Sequence, residues 1–61
     1  MEHELRINHL LDYLESSRIM AGAEFEALCN ENRHKEAELF CMVRDLLQVH
    51  IAIIKDYQTL N

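Results

Sequence analysis

The residues of this sequence that could do chemistry cluster near its middle. His34, Glu38 and Cys41 follow one another at steps of four and three residues. A helix would place them on one face, and all three residue types bind transition metals. Cys29 could add a fourth ligand across a turn, but the sequence has no CxxC, HExxH or paired ExxH motif. Ordinary positions on a helix surface explain the spacing, so neither a metal nor any other cofactor is predicted.

Cys29 and Cys41 are the two cysteines of the chain. In the hairpin predicted below they are offset along the helices, too far apart for a disulfide without large backbone movement. Neither has the His or Lys arrangement that marks a nucleophile. Free thiols suit a reducing compartment, and the acidic first four residues lack the basic and apolar blocks of a secretory signal. A cytoplasmic location is therefore expected.

Composition disfavours several classes of function. The chain has a single glycine, Gly22, with no glycine-rich phosphate loop and no nucleophile elbow. A pair of helices also offers no cleft that encloses a small-molecule substrate, so the protein is not expected to be an enzyme. Six Lys and Arg against eleven Asp and Glu give a net charge of −5, which disfavours nucleic acid. No apolar run approaches the ~20 residues that cross a bilayer, so no membrane span is predicted.

The first half of the chain predicts one helix, from about residue 4 to residue 29. Its apolar residues alternate steps of four and three, with Arg18 at the one missing position of the series: Ile7, Leu11, Leu14, Ala21, Phe25 and Leu28. Ser16 and Ser17 could instead end one short helix and cap a second. The apolar pattern passes through them without a change of phase, which favours the continuous helix.

The second half predicts a helix from about residue 35 to residue 60, with a wider apolar surface. His50 fills the gap in its main row, which consists of Leu39, Val43, Leu46, Ile53, Tyr57 and Leu60. Further apolar residues extend this surface to about half of the circumference: a parallel row of Phe40, Leu47 and Ile54, and the neighbouring Met42 and Val49.

The polar residues 30–34 predict the turn between the helices. Asn is a frequent substitute for Gly in the left-handed conformation that ends a helix, and Asn32 is also predicted to cap the second helix. So short a link makes the helices antiparallel. A hairpin folded about Asn32 pairs residues whose numbers add to about 64, so Phe25 should meet Leu39 and Leu14 should meet His50.

One helix covers only one stripe of its neighbour, so the remaining apolar rows predict a partner. The predicted fold is a single all-α domain over residues 1–61, an antiparallel two-helix hairpin that dimerises into a four-helix bundle. Arg18 and His50 interrupt the apolar rows and are predicted to set specificity, although both could lie at the rim with their polar ends in water. The predicted oligomer or partner interface consists of Leu39, Phe40, Val43, Leu46, Leu47, Val49, Ile53, Ile54 and Tyr57.

These features predict a small acidic interaction or regulatory protein that associates with itself and binds another protein. Two alternatives stay open. One is a nucleic-acid-binding hairpin dimer in which Arg6, Arg18, Arg44 and Lys55 align across the bundle. The other is a helper subunit of a heteromeric secretion-type chaperone, a comparison that rests on size and architecture alone.

Overall fold

The computed structural model describes the backbone of residues 2–60 and the side chains of residues 5–60. The ends of the predicted domain, Met1 and Asn61, lie outside these residues. Two helices, α1 (Glu2–Asn30) and α2 (His34–Leu60), account for all of the described chain except a short turn. The predicted all-α hairpin is confirmed, and α1 continues through Ser16 and Ser17 without a break.

Asn32 ends α1 in the predicted left-handed conformation, with φ of 61°. The Arg33 amide donates to the Leu28 carbonyl at 2.9 Å, and the Asn32 amide donates to the Cys29 carbonyl at 3.1 Å. These two bonds form a Schellman motif, in which an asparagine takes the place usually filled by glycine. The turn thereby satisfies carbonyl groups that the end of a helix leaves without partners.

The start of α2 differs from the sequence prediction. Its first helical residue is His34, so Arg33 and not Asn32 precedes the helix, and the Arg33 carbonyl accepts a bond from the Ala37 amide at 3.0 Å. The Arg33 guanidinium donates through Nε to Glu36 Oε1 at 3.1 Å and through Nη2 to Glu36 Oε2. These contacts raise the pKa of Arg33. The predicted Asn32 cap is wrong because Asn32 already serves the end of α1.

The helices meet along a row of α2 that lies one step around from the predicted row. The residues turned towards α1 are buried or half-buried: Ala37, Phe40, Arg44, Leu47, Ile51, Ile54 and Gln58. The predicted pairing of Phe25 with Leu39 is wrong, since Leu39 is 61% exposed. The predicted pairing of Leu14 with exposed His50 is wrong for the same reason.

Two polar contacts define the register in which the helices pack. Gln58 Nε2 donates to Asn8 Oδ1 at 3.0 Å, and Lys55 Nζ lies 3.0 Å from Glu15 Oε1. The residue numbers add to 66 in the first pair and to 70 in the second, so the helices are displaced by two to six residues from the predicted register, in which the numbers add to about 64. The periodicity of the sequence leaves this choice open, because neighbouring rows of α2 share the same three-and-four spacing.

The core between the helices is small. Among the described side chains only Ala21, Leu28, Ala37 and Ile51 are buried, and no large side chain is completely enclosed. The molecule is a rod whose Cα atoms extend over 46 × 16 × 11 Å. A rod two helices wide cannot enclose the apolar surface of both helices.

Candidate interaction surface

Thirteen large apolar side chains of residues 5–60 are exposed to solvent. Five belong to α1: Leu5, Leu10, Tyr13, Ile19 and Met20. Eight belong to α2: Leu39, Met42, Val43, Leu46, Val49, Ile53, Tyr57 and Leu60. Single exposed hydrophobic residues are normal on soluble proteins, but a continuous set marks an interaction site. The arrangement of these side chains therefore matters more than their number.

One apolar surface lies along one side of the hairpin, where a groove of about 240 Å³ separates the helices. The groove is lined by Ser17, Met20, Ala21, Glu24, Phe40, Val43 and Leu47. Further steps of three and four residues extend this side along both helices. We call it the flank surface, and its members are Leu10, Tyr13, Ser17, Met20 and Glu24 of α1 and Phe40, Val43, Leu47, His50, Ile54 and Tyr57 of α2.

A second apolar surface covers the side of α2 that is turned away from α1. We call it the outer stripe, and it consists of Leu39, Met42, Leu46, Val49, Ile53 and Leu60. Asp56 occupies the one gap in this series. The alternating steps of three and four residues are those of a coiled-coil seam. Glu38 and Asp45 border one edge of the stripe, and the flank surface borders the other.

The nine predicted interface residues fall into two groups. Phe40, Leu47 and Ile54 are half-buried beside α1 and form the floor and wall of the flank surface. The exposed group comprises Leu39, Val43, Leu46, Val49, Ile53 and Tyr57. Whether these side chains contact another chain stays a prediction, but the second group is accessible along its whole length.

The opposite side of the hairpin brings together the residues first considered as metal ligands. His34, Glu38 and Cys41 lie along one groove of about 380 Å³, and Cys29 faces it from α1. The shared face predicted from their spacing is therefore present. In the described part of the chain, however, no three His, Cys, Asp or Glu side chains are arranged to hold a metal ion. Both cysteines are free thiols.

Arg44 is the charged residue in the row that faces α1. Its guanidinium carbon lies 5.3 Å from the centroid of the Phe25 ring, within the range of a cation–π contact. Its Nη2 donates to Cys41 Sγ at 3.3 Å and lies 3.5 Å from Asp45 Oδ1. The sequence pattern predicted His50, and not Arg44, as the polar residue in the row that faces α1. The missed signal is that Arg44 lies seven residues from both Ala37 and Ile51, the buried residues of α2.

The basic residues considered for nucleic-acid binding lie in different surroundings. Arg44 lies between the helices, and Lys55 forms an ion pair with Glu15 that lowers the pKa of that carboxyl group, with a smaller contribution from Arg18. Arg18 itself is half-buried on α1, whereas His50 is exposed on the flank surface. Arg44 and Lys55, two of the four cations considered for nucleic-acid binding, thus interact with side chains of α1.

Comparison with known proteins gives no family to which the chain can be assigned. No family description matches it, and no curated protein and no solved structure gives a significant match. Within residues 2–60, neither helix has a stretch that is both long enough and apolar enough to cross a membrane. Fold and surface together define the class of the protein as an all-α helical hairpin with two exposed apolar surfaces.

Proposed function

We propose that this protein is a small interaction protein without enzymatic activity, which forms a homodimer through its flank surface and binds and regulates another protein. The observation that carries this proposal is the excess of exposed apolar side chains, arranged in rows at helical spacing. Chains of this size seldom build an adequate core alone and often gain one by association. Self-association supplies that core without a second gene product.

The hairpin exposes enough extra surface area to form one protein–protein interface. The hairpin has an accessible surface of 5006 Å², whereas a compact protein of this size exposes about 4,100 Å². The difference, about 900 Å², is close to the ~800 Å² that each partner buries in a standard stable interface. Area alone does not determine affinity, but an interface of this size is large enough to be specific.

The flank surface is suited to a four-helix bundle. Packing two hairpins against each other through this surface gives every helix two neighbours and encloses Met20, Phe40, Val43 and Leu47. The surface carries few charged groups, so little charge must be removed from water on assembly. Its groove lies between two helices, and a large side chain of the opposing hairpin can pack into it.

Val43 provides the test of this interface. It lines the groove but is 47% exposed, so Val43→Glu places a charge in the dimer interface without opening the hairpin. We expect wild-type protein to have the mass of a dimer by light scattering at micromolar concentration. We expect Val43→Glu to have the mass of a monomer, with a weakening of association of at least a hundredfold and an α-helical circular dichroism spectrum.

Ala52→Glu is the matched control. Ala52 is exposed on the same helix, nine residues or two and a half turns from Val43, and so points to the opposite side. This variant should remain a dimer. Leu47 and Ile54 are less suitable sites for the test, because both are half-buried and Glu there would also unfold the hairpin. A wild-type monomer at every concentration, or a Val43→Glu dimer, contradicts the proposal.

A further inference from the structure

We infer that the outer stripe of α2 is a docking seam for one amphipathic helix of a different protein, and that this partner helix carries basic residues along one edge. This inference deepens the proposed function, because it names the chemistry of the partner and the surface that binds it. It rests on the arrangement of the outer stripe, on the charges at its edge and on the distribution of cations in the chain itself.

A dimer through the flank surface leaves the outer stripe uncovered. Leu46 follows Arg44 by two residues and Ile53 follows Ile51 by two, which is slightly more than half a turn in each case. Because Arg44 and Ile51 are turned towards α1, Leu46 and Ile53 point away from it. In a four-helix bundle each helix has neighbours in two directions about a quarter-turn apart. Neither neighbour reaches the side of α2 on which Leu46 is 60% exposed.

The outer stripe has the length and spacing of a coiled-coil seam. It extends from Leu39 to Leu60, a distance of roughly 33 Å at about 1.5 Å per residue. This is three heptads, enough for one helix to pack along it with knobs-into-holes contacts. The seam is a single stripe on one helix, so one partner helix covers it.

The charges beside the seam select the partner. On one edge the heptad positions are occupied by Glu38, Asp45, Ala52 and Thr59, so that edge is acidic or neutral. Asp56 adds a further carboxylate within the seam itself. Arg44 lies 3.5 Å from Asp45, but the Asp45 side chain keeps 61% of its surface exposed. Charges at these flanking positions determine partner choice in coiled coils, and here they favour Lys or Arg on the facing edge.

A second copy of this chain does not supply those cations. Another α2 brings the same acidic edge and three cations. Arg44 lies between the helices, Lys55 pairs with Glu15, and Lys35 is a single charge that precedes the stripe and lines the groove on the opposite side of the hairpin. In α1, Arg6 and Arg18 are twelve residues apart and do not form a row. The complementary helix therefore belongs to another protein.

Two synthetic peptides test the inference with the full-length protein. Both are helices of about four heptads with the same Leu and Ile seam, and they differ only in having Lys or Glu at the flanking positions. Binding is measured by fluorescence anisotropy of the labelled peptide. We expect the Lys peptide to bind at least tenfold more tightly than the Glu peptide, and this difference to shrink as salt rises. A scrambled Lys peptide of identical composition should not bind.

Variants separate seam docking from general attraction between opposite charges. Leu46→Glu makes the protein more acidic, yet it should abolish binding of the Lys peptide because a carboxylate then enters the apolar seam. Ala52→Glu extends the acidic edge and should tighten binding several-fold, whereas Ala52→Lys should weaken it by a similar factor. All three variants should retain the oligomeric state of the wild type.

Three results would overturn the inference: equal affinity for the two peptides, undiminished binding to Leu46→Glu, or dissociation of a wild-type dimer by Leu46→Glu. The last result would assign the outer stripe to a second copy of the chain. Failure of the proposed homodimer has a different signature. In that case the wild type is monomeric, while the Lys peptide still binds with the same dependence on Leu46 and Ala52.

Discussion

At the scale of single residues, Gly22 and Arg44 show how the two helices approach each other. Gly22 lies within α1 at negative φ, so the backbone does not require glycine there. A Cβ atom added at this position would lie 3.9 Å from Arg44 Cδ, which is an ordinary van der Waals distance. The guanidinium of Arg44 continues to the Phe25 ring. The interface therefore has room for one more methyl group at Gly22, and for little more.

Gly22→Ala should stabilise the protein. Alanine lowers the conformational entropy of the unfolded chain and suits a helix better than glycine, so we expect the free energy of unfolding to rise by about 0.5–1 kcal/mol. Urea unfolding followed by circular dichroism at one fixed protein concentration measures the change. Gly22→Leu is the contrasting variant and should destabilise, because its larger side chain collides with Arg44. A loss of stability in Gly22→Ala would show that the space beside Arg44 is absent in solution.

At the scale of elements, the hairpin depends on a turn that ends one helix and starts the next within three residues. Asn32 carries the left-handed conformation, and the Arg33 amide closes the motif on the Leu28 carbonyl. Arg33 then pairs with Glu36 in the first turn of α2. A carboxylate near the N-terminus of a helix also interacts favourably with its dipole. The same few residues thus determine where both helices end and begin.

The stability of Asn32 variants should depend on how well the new residue tolerates positive φ. Asn32→Gly should leave stability unchanged or raise it by up to ~1 kcal/mol, since glycine adopts this conformation without strain. Asn32→Val should lower the free energy of unfolding by about 1–2 kcal/mol, because its branched Cβ clashes there. Thermal unfolding at fixed concentration compares the two variants. Glu31→Val is the control, because Glu31 does not have positive φ. Equal losses in Asn32→Val and Glu31→Val would contradict this account of the turn.

At the scale of the whole molecule, the rod has more apolar surface than its two helices can bury against each other. Among residues 5–60 the buried residues are Ala21, Leu28, Ala37 and Ile51, and two of these four are alanines. A core of this size contributes only a small part of the free energy of unfolding, which is about 5–15 kcal/mol for typical folded domains. If association through the flank surface supplies the rest, folding and assembly are thermodynamically linked.

The melting temperature should therefore rise with protein concentration. Association stabilises the folded state by mass action, so we expect the melting temperature to increase by several degrees over a hundredfold range of concentration. Val43→Glu should melt at a lower temperature that is independent of concentration. Circular dichroism in cells of different path length makes the measurement. A wild-type melting temperature that stays constant across this range would mean that the hairpin is stable alone.

The features that depend on local patterns could be predicted from the order of the amino acids alone. Apolar residues at helical spacing, the absence of Pro and the near absence of Gly predicted two helices, with α1 continuous through Ser16 and Ser17. The short polar segment predicted the turn and the left-handed Asn32, because only a few residue types tolerate that conformation. An antiparallel hairpin followed from the length of the link.

Which row of α2 faces α1 depends on how the two helices pack, and local patterns do not predict it. The apolar spacing predicts that the row beginning at Leu39 faces α1, with His50 in its gap, and places Phe40, Leu47 and Ile54 in a parallel row one step around. A periodic pattern identifies both rows and does not choose between them. The choice depends on the fit between helices: the Arg44 stem packs beside Gly22, and its guanidinium lies over Phe25. This fit turns Leu39 and Leu46 outwards and makes them available to another chain.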